Sequence, residues 1–299
     1  MAHAIRSTRV RTPNGLAPAT LIIERERIAE VRGWSEVPAD ATLSDFGDLP
    51  VLPGLVDTHV HINEPGRTEW EGFRTATRAA AAGGVTTLVD MPLNCVPETI
   101  HVDALEAKRR AAHGQAWVDW AAWGGVVRGN AAELKSLACA GVPGFKCFLI
   151  DSGVEGFAWV DENDLRLALA ELRGTGLPLL AHAEVSGPIE EAMRSIGSNN
   201  LVWRKYSTYL TSRPMMAELD AIALLVGLAL EFQTPVHIVH LSSAGALTLL
   251  ESAREQGSLL KHGAERVPRR SLHSYGPNHH RLSCSCVVYS RNAEGVGLA

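Results

Sequence analysis

The chain has 299 residues, 46% of them hydrophobic and 20% charged, with a formal net charge of −5. That is ample for a sizeable core, and the acidic balance leaves no basic footprint for nucleic acid or an anionic membrane. There is no Cys-x-x-Cys pair, no apolar signal core at the start and no run of roughly 18 apolar residues, so a soluble cytoplasmic protein without disulfides is expected.

Residues 1–50 read as short strands. Leu21–Val31 mixes β-branched residues with charges, as a half-exposed hairpin would. This is expected to be a small β appendage. From residue 51 strand and helix signals alternate. Val51–Ile62 is an apolar strand running into the Pro65-Gly66 loop. Glu69–Ala82 is an Ala-rich helix stopped by Gly83-Gly84. Val85–Pro92 is the second strand, and Thr99–Ala112 a helix whose Lys108, Arg109 and Arg110 suit the negative end of its dipole. Ala116–Val127 is a third strand region, blurred by Trp117, Trp120 and Trp123 at spacing three. Ala131–Ala140 is a helix closed by Gly141. Gly144–Ile150 is the fourth strand, followed by a helix over Asp161–Arg173 with Asp161 as N-cap. Pro178–Glu184 is the fifth strand. A long connection leads to a helix over about 213–231. Pro235–Ser243 is the sixth strand and Ala244–Gln256 its helix.

Six successive βα units predict a parallel sheet with helices outside, an α/β fold of the TIM-barrel type, incomplete at about six units. A doubly wound sheet is the alternative, but it wants a glycine-rich phosphate loop after the first strand, which is missing. The pattern breaks at Gly257. Residues 258–299 are basic, His- and Cys-containing and without apolar periodicity, as a fragment's end or a shifted reading frame would be. Cys284-Ser-Cys286 with His279 and His280 is a weak metal candidate there. Cys95, Cys139 and Cys147 read as core fillers.

Polar residues fall late in the predicted strands. His59 and His61 alternate onto one face and can share a divalent cation. Lys146 sits inside an apolar strand, where burial would lower its pKa and leave a nucleophilic amine; a lysine snorkelling to water is the plainer alternative. His182 ends the fifth strand. His237 and His240 should face opposite ways, and His240, nearer the C-terminal end, is the stronger candidate. A lone strand histidine is more often a hydrogen-bonded core residue, but four histidines and one lysine at one rim form a pattern.

These residues carry a resemblance. Pro53–His61, Gly144–Phe148, His182-Ala-Glu184 and His240–Ser243, in order, are similar to the successive metal-site motifs of the cyclic amidohydrolases, over roughly residues 50–256. The resemblance implies a metal-dependent TIM-barrel hydrolase holding two divalent cations. Zinc is the first expectation, and cobalt, manganese or iron are also suited. It implies that His59 and His61 bind one ion, that Lys146, carboxylated by CO2, bridges, and that His182 and His240 hold the other.

Asn63–Phe73, Asp90–Asn94 and Ser212-Arg-Pro214 most resemble the allantoinase branch. Asn63 stands where dihydroorotases resemble one another in having an arginine for a substrate carboxylate. A neutral ureide such as allantoin wants no cation there. Asn63 and Asn94 are expected to bind substrate; loop chemistry is their other explanation. The reaction implied is ring opening of a cyclic amide, allantoin to allantoate, with hydantoinase, dihydroorotase or a non-catalytic metal-binding or subunit partner as alternatives, and a homo-oligomer at full length. The family's general-base Asp belongs to an eighth strand and has no match. Asp57, Asp90 and Asp151 are not assigned the role, and the chain alone is expected to be poorly soluble and weakly active.

Overall fold

The computed structural model describes residues 2–197, 200–258 and 260–264. The chain divides into two compact units, Met1–Leu55 and Val56–Ala299. In the first, β1 (His3–Thr12), β2 (Gly15–Glu24), β3 (Arg27–Arg32) and β4 (Thr42–Asp45) form one sheet in the order β3-β2-β1-β4. β2 and β3 are the expected antiparallel hairpin, turning at Arg25 with a left-handed φ of 57°. β1 and β4 run parallel, and Val10, Ala19 and Leu21 make a small core.

The second unit begins within β5 (Leu55–Val60). It continues through α1 (Phe73–Ala82), β6 (Val85–Asp90), α2 (Val102–Ala112), β7 (Asp119–Ala122), β8 (Gly124–Gly125), α3 (Leu134–Cys139) and β9 (Phe145–Phe148). Then follow α4 (Glu162–Leu172), β10 (Leu179–His182), α5 (Ser186–Ile196), α6 (Asn200–Trp203), α7 (Tyr206–Ser212), α8 (Met215–Phe232), β11 (Val236–Leu241), α9 (Ala246–Glu255) and β12 (Leu260–Ala264). Strands lie in sequence order, β5-β6-β7 and then β8-β9-β10-β11-β12. Only Trp123 separates β7 from β8. Its N–H donates to Asp90 O on the β6 side, while Gly124 N donates to Gly144 O on the β9 side, so one bent strand joins the two sheets. The pairings from β6 to β7 and from β8 to β12 are parallel. Sequential parallel strands with helical crossovers are the TIM-type succession; a doubly wound sheet would reverse its order partway.

Five expectations need correcting. The sheet does not stop at six strands, because β12 pairs in parallel with β11, Val236 opposite Leu260. Lys261 and His262 interrupt that short run, so no apolar periodicity announced it. The rest of the tail, with His279, His280, Cys284 and Cys286, lies outside the described residues. The third strand is split by Trp123, whose buried indole N–H donates to Thr58 O at 2.8 Å, while Trp117 is exposed. The first helix starts at Phe73 rather than Glu69, where the Glu64 carboxylate accepts the Phe73 N–H at 2.9 Å. The connection after β10 holds three helices. Among the cysteines, Cys95 and Cys147 are buried but Cys139 is exposed, two residues on from buried Leu137 and so on the outer side of α3.

Alternation along the strands separates two apolar layers. Phe145, Cys147, Leu179, Ala181, Val236 and Ile238 pack with the helices, including Leu165, Leu169, Ile222 and Leu225. On the inner side Val89, Met91, Trp123, Leu180 and Val239 pack with Phe148. β9 approaches β10 closely at Gly144, where a Cβ would lie 2.6 Å from Pro178 O and 2.7 Å from the Trp123 ring, so only glycine fits.

Candidate metal centre

Inner-facing positions bring the predicted residues together. The His59 ring lies 5.6 Å from that of His61 and 5.8 Å from that of His240, and His240 lies 4.7 Å from His182. His59 is buried in β5, while His61 stands just beyond the strand end. His182 is the last residue of β10. His182 Nδ1 and His240 Nε2 are 3.2 Å apart.

Strict alternation would send His240 away from this cluster, since Val239 already faces the inner layer. Instead the β11 register shifts between Ile238 and Leu241, and His240 takes a left-handed φ of 40°. This irregularity re-aims the ring toward His59 and His182. Such a backbone costs about 1–3 kcal/mol and persists where the surroundings enforce it. The expectation that His237 and His240 face opposite ways therefore fails: His237 also lies near enough to depress the His59 pKa.

Lys146 is the second residue of β9, opposite Leu180 of β10, and 1% exposed. It does not snorkel. Its Nζ lies 4.2 Å from the centroid of the Phe148 ring, which stacks on His182 at 4.8 Å and 15°. Burial holds its amine down to about 7. Burial, and then the Lys146 charge, drive His59 to about 3 and His61 to about 4, and His240 well below the usual range. His182 is lowered by burial against the opposing pull of Glu184. At neutral pH all four imidazoles are neutral and carry a lone pair.

Among the described residues no three His, Cys, Asp or Glu side chains are gathered tightly enough to form a ready metal group. The donors nevertheless suit a cation. The imidazoles are neutral, His59 buried and the other three partly so, and His59 Nδ1 is a buried nitrogen with no hydrogen-bond partner. The remaining donor is a lysine, which becomes an oxygen ligand only once carboxylated.

Asn94, at a left-handed φ of 71°, places its amide nitrogen 3.1 Å from His61 Nδ1, and Asn63 is 8% exposed. The three aspartates are engaged elsewhere. Asp57 accepts the His59 N–H, and Asp151 accepts from Gly153. Asp90 accepts the Ile62 N–H at 2.6 Å and pairs with Lys108. Lys108 is 0% exposed, so its assignment to the helix dipole is wrong: it spans from α2 to the end of β6. Burial pushes Asp90 up to about 6 against the pull of Lys108, whose own pKa is raised by the carboxylate, and the pair is ionised at neutral pH. Together they pin the backbone just after His61. Sequence reasoning also gave no role to Glu184, which meets His182 Nε2 at 2.7 Å, or to Arg213, 3.7 Å from the same carboxylate oxygen. Their signal was the i, i+2 spacing of His182 and Glu184. A cavity of about 370 Å³ opens beside them, lined by His182, Glu184, Tyr206, Arg213, Met215 and His240 among others.

The sequence model of the amidohydrolase family matches residues 51–259. A mitochondrial allantoinase from Aquarana catesbeiana is 48% identical over 257 residues, covering 86% of this chain and 52% of the relative. The allantoinase of Streptomyces avermitilis is 48% identical over 85% of this chain and 56% of its own length. Among solved structures, the L-hydantoinase of Arthrobacter aurescens matches with a TM-score of 0.78 at 27% identity, over 88% of this chain and 58% of that one. The chain thus spans about half the length of the curated relatives it matches. With a parallel barrel sheet, a rim of converging histidines and a family match across most of its length, the chain belongs to the amidohydrolase family.

Proposed function

We propose that this chain forms the metal-binding part of an allantoinase, opening the hydantoin ring of allantoin by hydrolysis. The observation that carries the reading is the buried Lys146 amine, held near neutrality on the same inner face as four neutral imidazoles. His59 and His61 would hold one divalent cation, His182 and His240 a second, and Lys146 would bridge. Bound cations would supply Lewis-acid polarisation of the ring carbonyl and activation of a water. The amine of Lys146 adds to CO2: the N–C bond forms, one proton leaves, and an anionic carbamate with two oxygens results. A free amine at about 7 is partly deprotonated at physiological pH, so no base is needed to unmask the nucleophile, and the proton released on addition passes to solvent.

The cavity beside His182 and His240 is within the size range of small-ligand sites. Asn63 supplies an amide where a carboxylate substrate would want a cation, which favours a neutral ureide over dihydroorotate. The allantoinase relatives and the Asn63 position together favour allantoin over other hydantoins. Among the described residues no aspartate enters the imidazole cluster, so proton transfer to the leaving nitrogen is assigned to none of Asp57, Asp90 or Asp151.

The test is a panel of allantoin, hydantoin and dihydroorotate, each with zinc or cobalt and bicarbonate. Allantoin should be opened fastest, with the rate abolished by Lys146→Ala. Equal rates for dihydroorotate, or allantoin turnover that survives Lys146→Ala, would reject the reading.

A further inference from the structure

We infer that Glu184 and Arg213 form a positioning relay that fixes which nitrogen of His182 carries its hydrogen, so that His182 presents its Nδ1 lone pair toward His240. The inference rests on the metal-centre reading above, but its first readout needs no metal. His182 is already fixed in plane, stacked on Phe148 at 15°. What stays open is its tautomer. An ionised carboxylate only accepts hydrogen bonds, so the 2.7 Å contact from Glu184 Oε2 to Nε2 requires the hydrogen on Nε2. A neutral ring then leaves Nδ1 bare, and Nδ1 is the atom that faces His240 Nε2 at 3.2 Å. A carboxylate behind a ligating histidine is a general device for orienting the ring and raising its basicity.

Arg213 makes the carboxylate dependable. Its Nη1 lies 3.7 Å from the same Oε2, holding a charge beside it. Arg213 sits in the link between α7 and α8, and that region tethers both strand ends. Val185 N donates to Ala217 O at 3.0 Å, just after β10, and Ser242 N donates to Glu218 Oε1 at 2.8 Å, two residues after His240. The start of α8 therefore holds the loops behind both histidines of the pair. Arg213 also lines the cavity, so the relay runs from the cavity wall to the ring. It is a positioning residue rather than a catalytic one.

The test uses the full 299-residue chain with 15N-labelled histidine, stripped by chelator. Long-range proton–nitrogen correlation spectra show which ring nitrogen of His182 is protonated. The wild type should show Nε2–H. Glu184→Gln should keep it through the amide oxygen, and Glu184→Leu should shift the population toward Nδ1–H. Zinc titration against a competing chelator should show one of two sites losing about 10–100-fold in Glu184→Leu, the other unchanged, and most of the loss restored in Glu184→Gln. A folded Glu184→Leu with the wild-type tautomer, or with both sites weakened equally, would overturn the relay. If Glu184→Leu does not fold, half-exposed Arg213→Met decides: a reduced Nε2–H population supports the relay, and an unchanged spectrum overturns it. A wild-type chain that binds no zinc would reject the metal-centre reading while leaving the tautomer comparison to stand on its own.

Discussion

At the residue scale, Lys146 carries the proposed chemistry. A free lysine titrates near 10.5, and burial brings this one to about 7. In the metal-free chain the unfolded state binds more protons than the folded state between those values, so stability should rise with pH across that window. Below about 7 the folded state must carry a buried ammonium, and the penalty is complete. Lys146→Met should flatten this dependence, read as urea midpoints across the same range; an unaltered slope would mean that the amine reaches water. The residue types of the site were legible in the sequence, because His59, His61, Lys146 and His182 follow strand alternation. His240 was chosen for its position near the strand end, while the parity argument used beside it fails at the left-handed backbone of that residue. A backbone irregularity of this kind carries no signature in the side-chain pattern.

At the scale of elements, the buried Asp90–Lys108 pair ties α2 to β6 and to the loop after His61. Removing one partner leaves a buried charge uncompensated, and Lys108→Met should cost about 3–5 kcal/mol. The double change Asp90→Asn with Lys108→Met should recover much of that. Denaturant unfolding of the two variants measures it, and equal losses in both would show that the pair is not coupled. Lys108 was misread because a basic residue in a last helical turn ordinarily serves the dipole, and only tertiary packing reveals that this one turns inward. Gly144 is a second checkpoint: a Cβ there meets Pro178 O at 2.6 Å, so Gly144→Ala should destabilise by about 1–3 kcal/mol through overpacking. The βα alternation was readable because most of these strands are short, largely apolar and preceded by glycine or proline, as at Gly54, Gly84, Gly144, Pro178 and Pro235. β12 was not, since polar residues interrupt it and its assignment comes from pairing with β11.

Across the whole molecule, cation binding should couple to stability, because His59, His61, Lys146, His182 and His240 come from four strand regions of one sheet succession. At cation concentrations about 100 times Kd, the folded state gains about 2.7 kcal/mol. Chelator should therefore lower the melting temperature, and zinc with bicarbonate should restore it further than zinc alone; no response to either would argue against a site spanning the strands. The most direct measurement is zinc anomalous diffraction from crystals grown with zinc and bicarbonate. Two peaks are expected, each about 2.0–2.1 Å from imidazole nitrogens, one at His59 and His61 and the other at His182 and His240, with carbamate density on Lys146 between them. Zinc bound elsewhere, or an unmodified Lys146 amine with no metal beside it, would contradict the account.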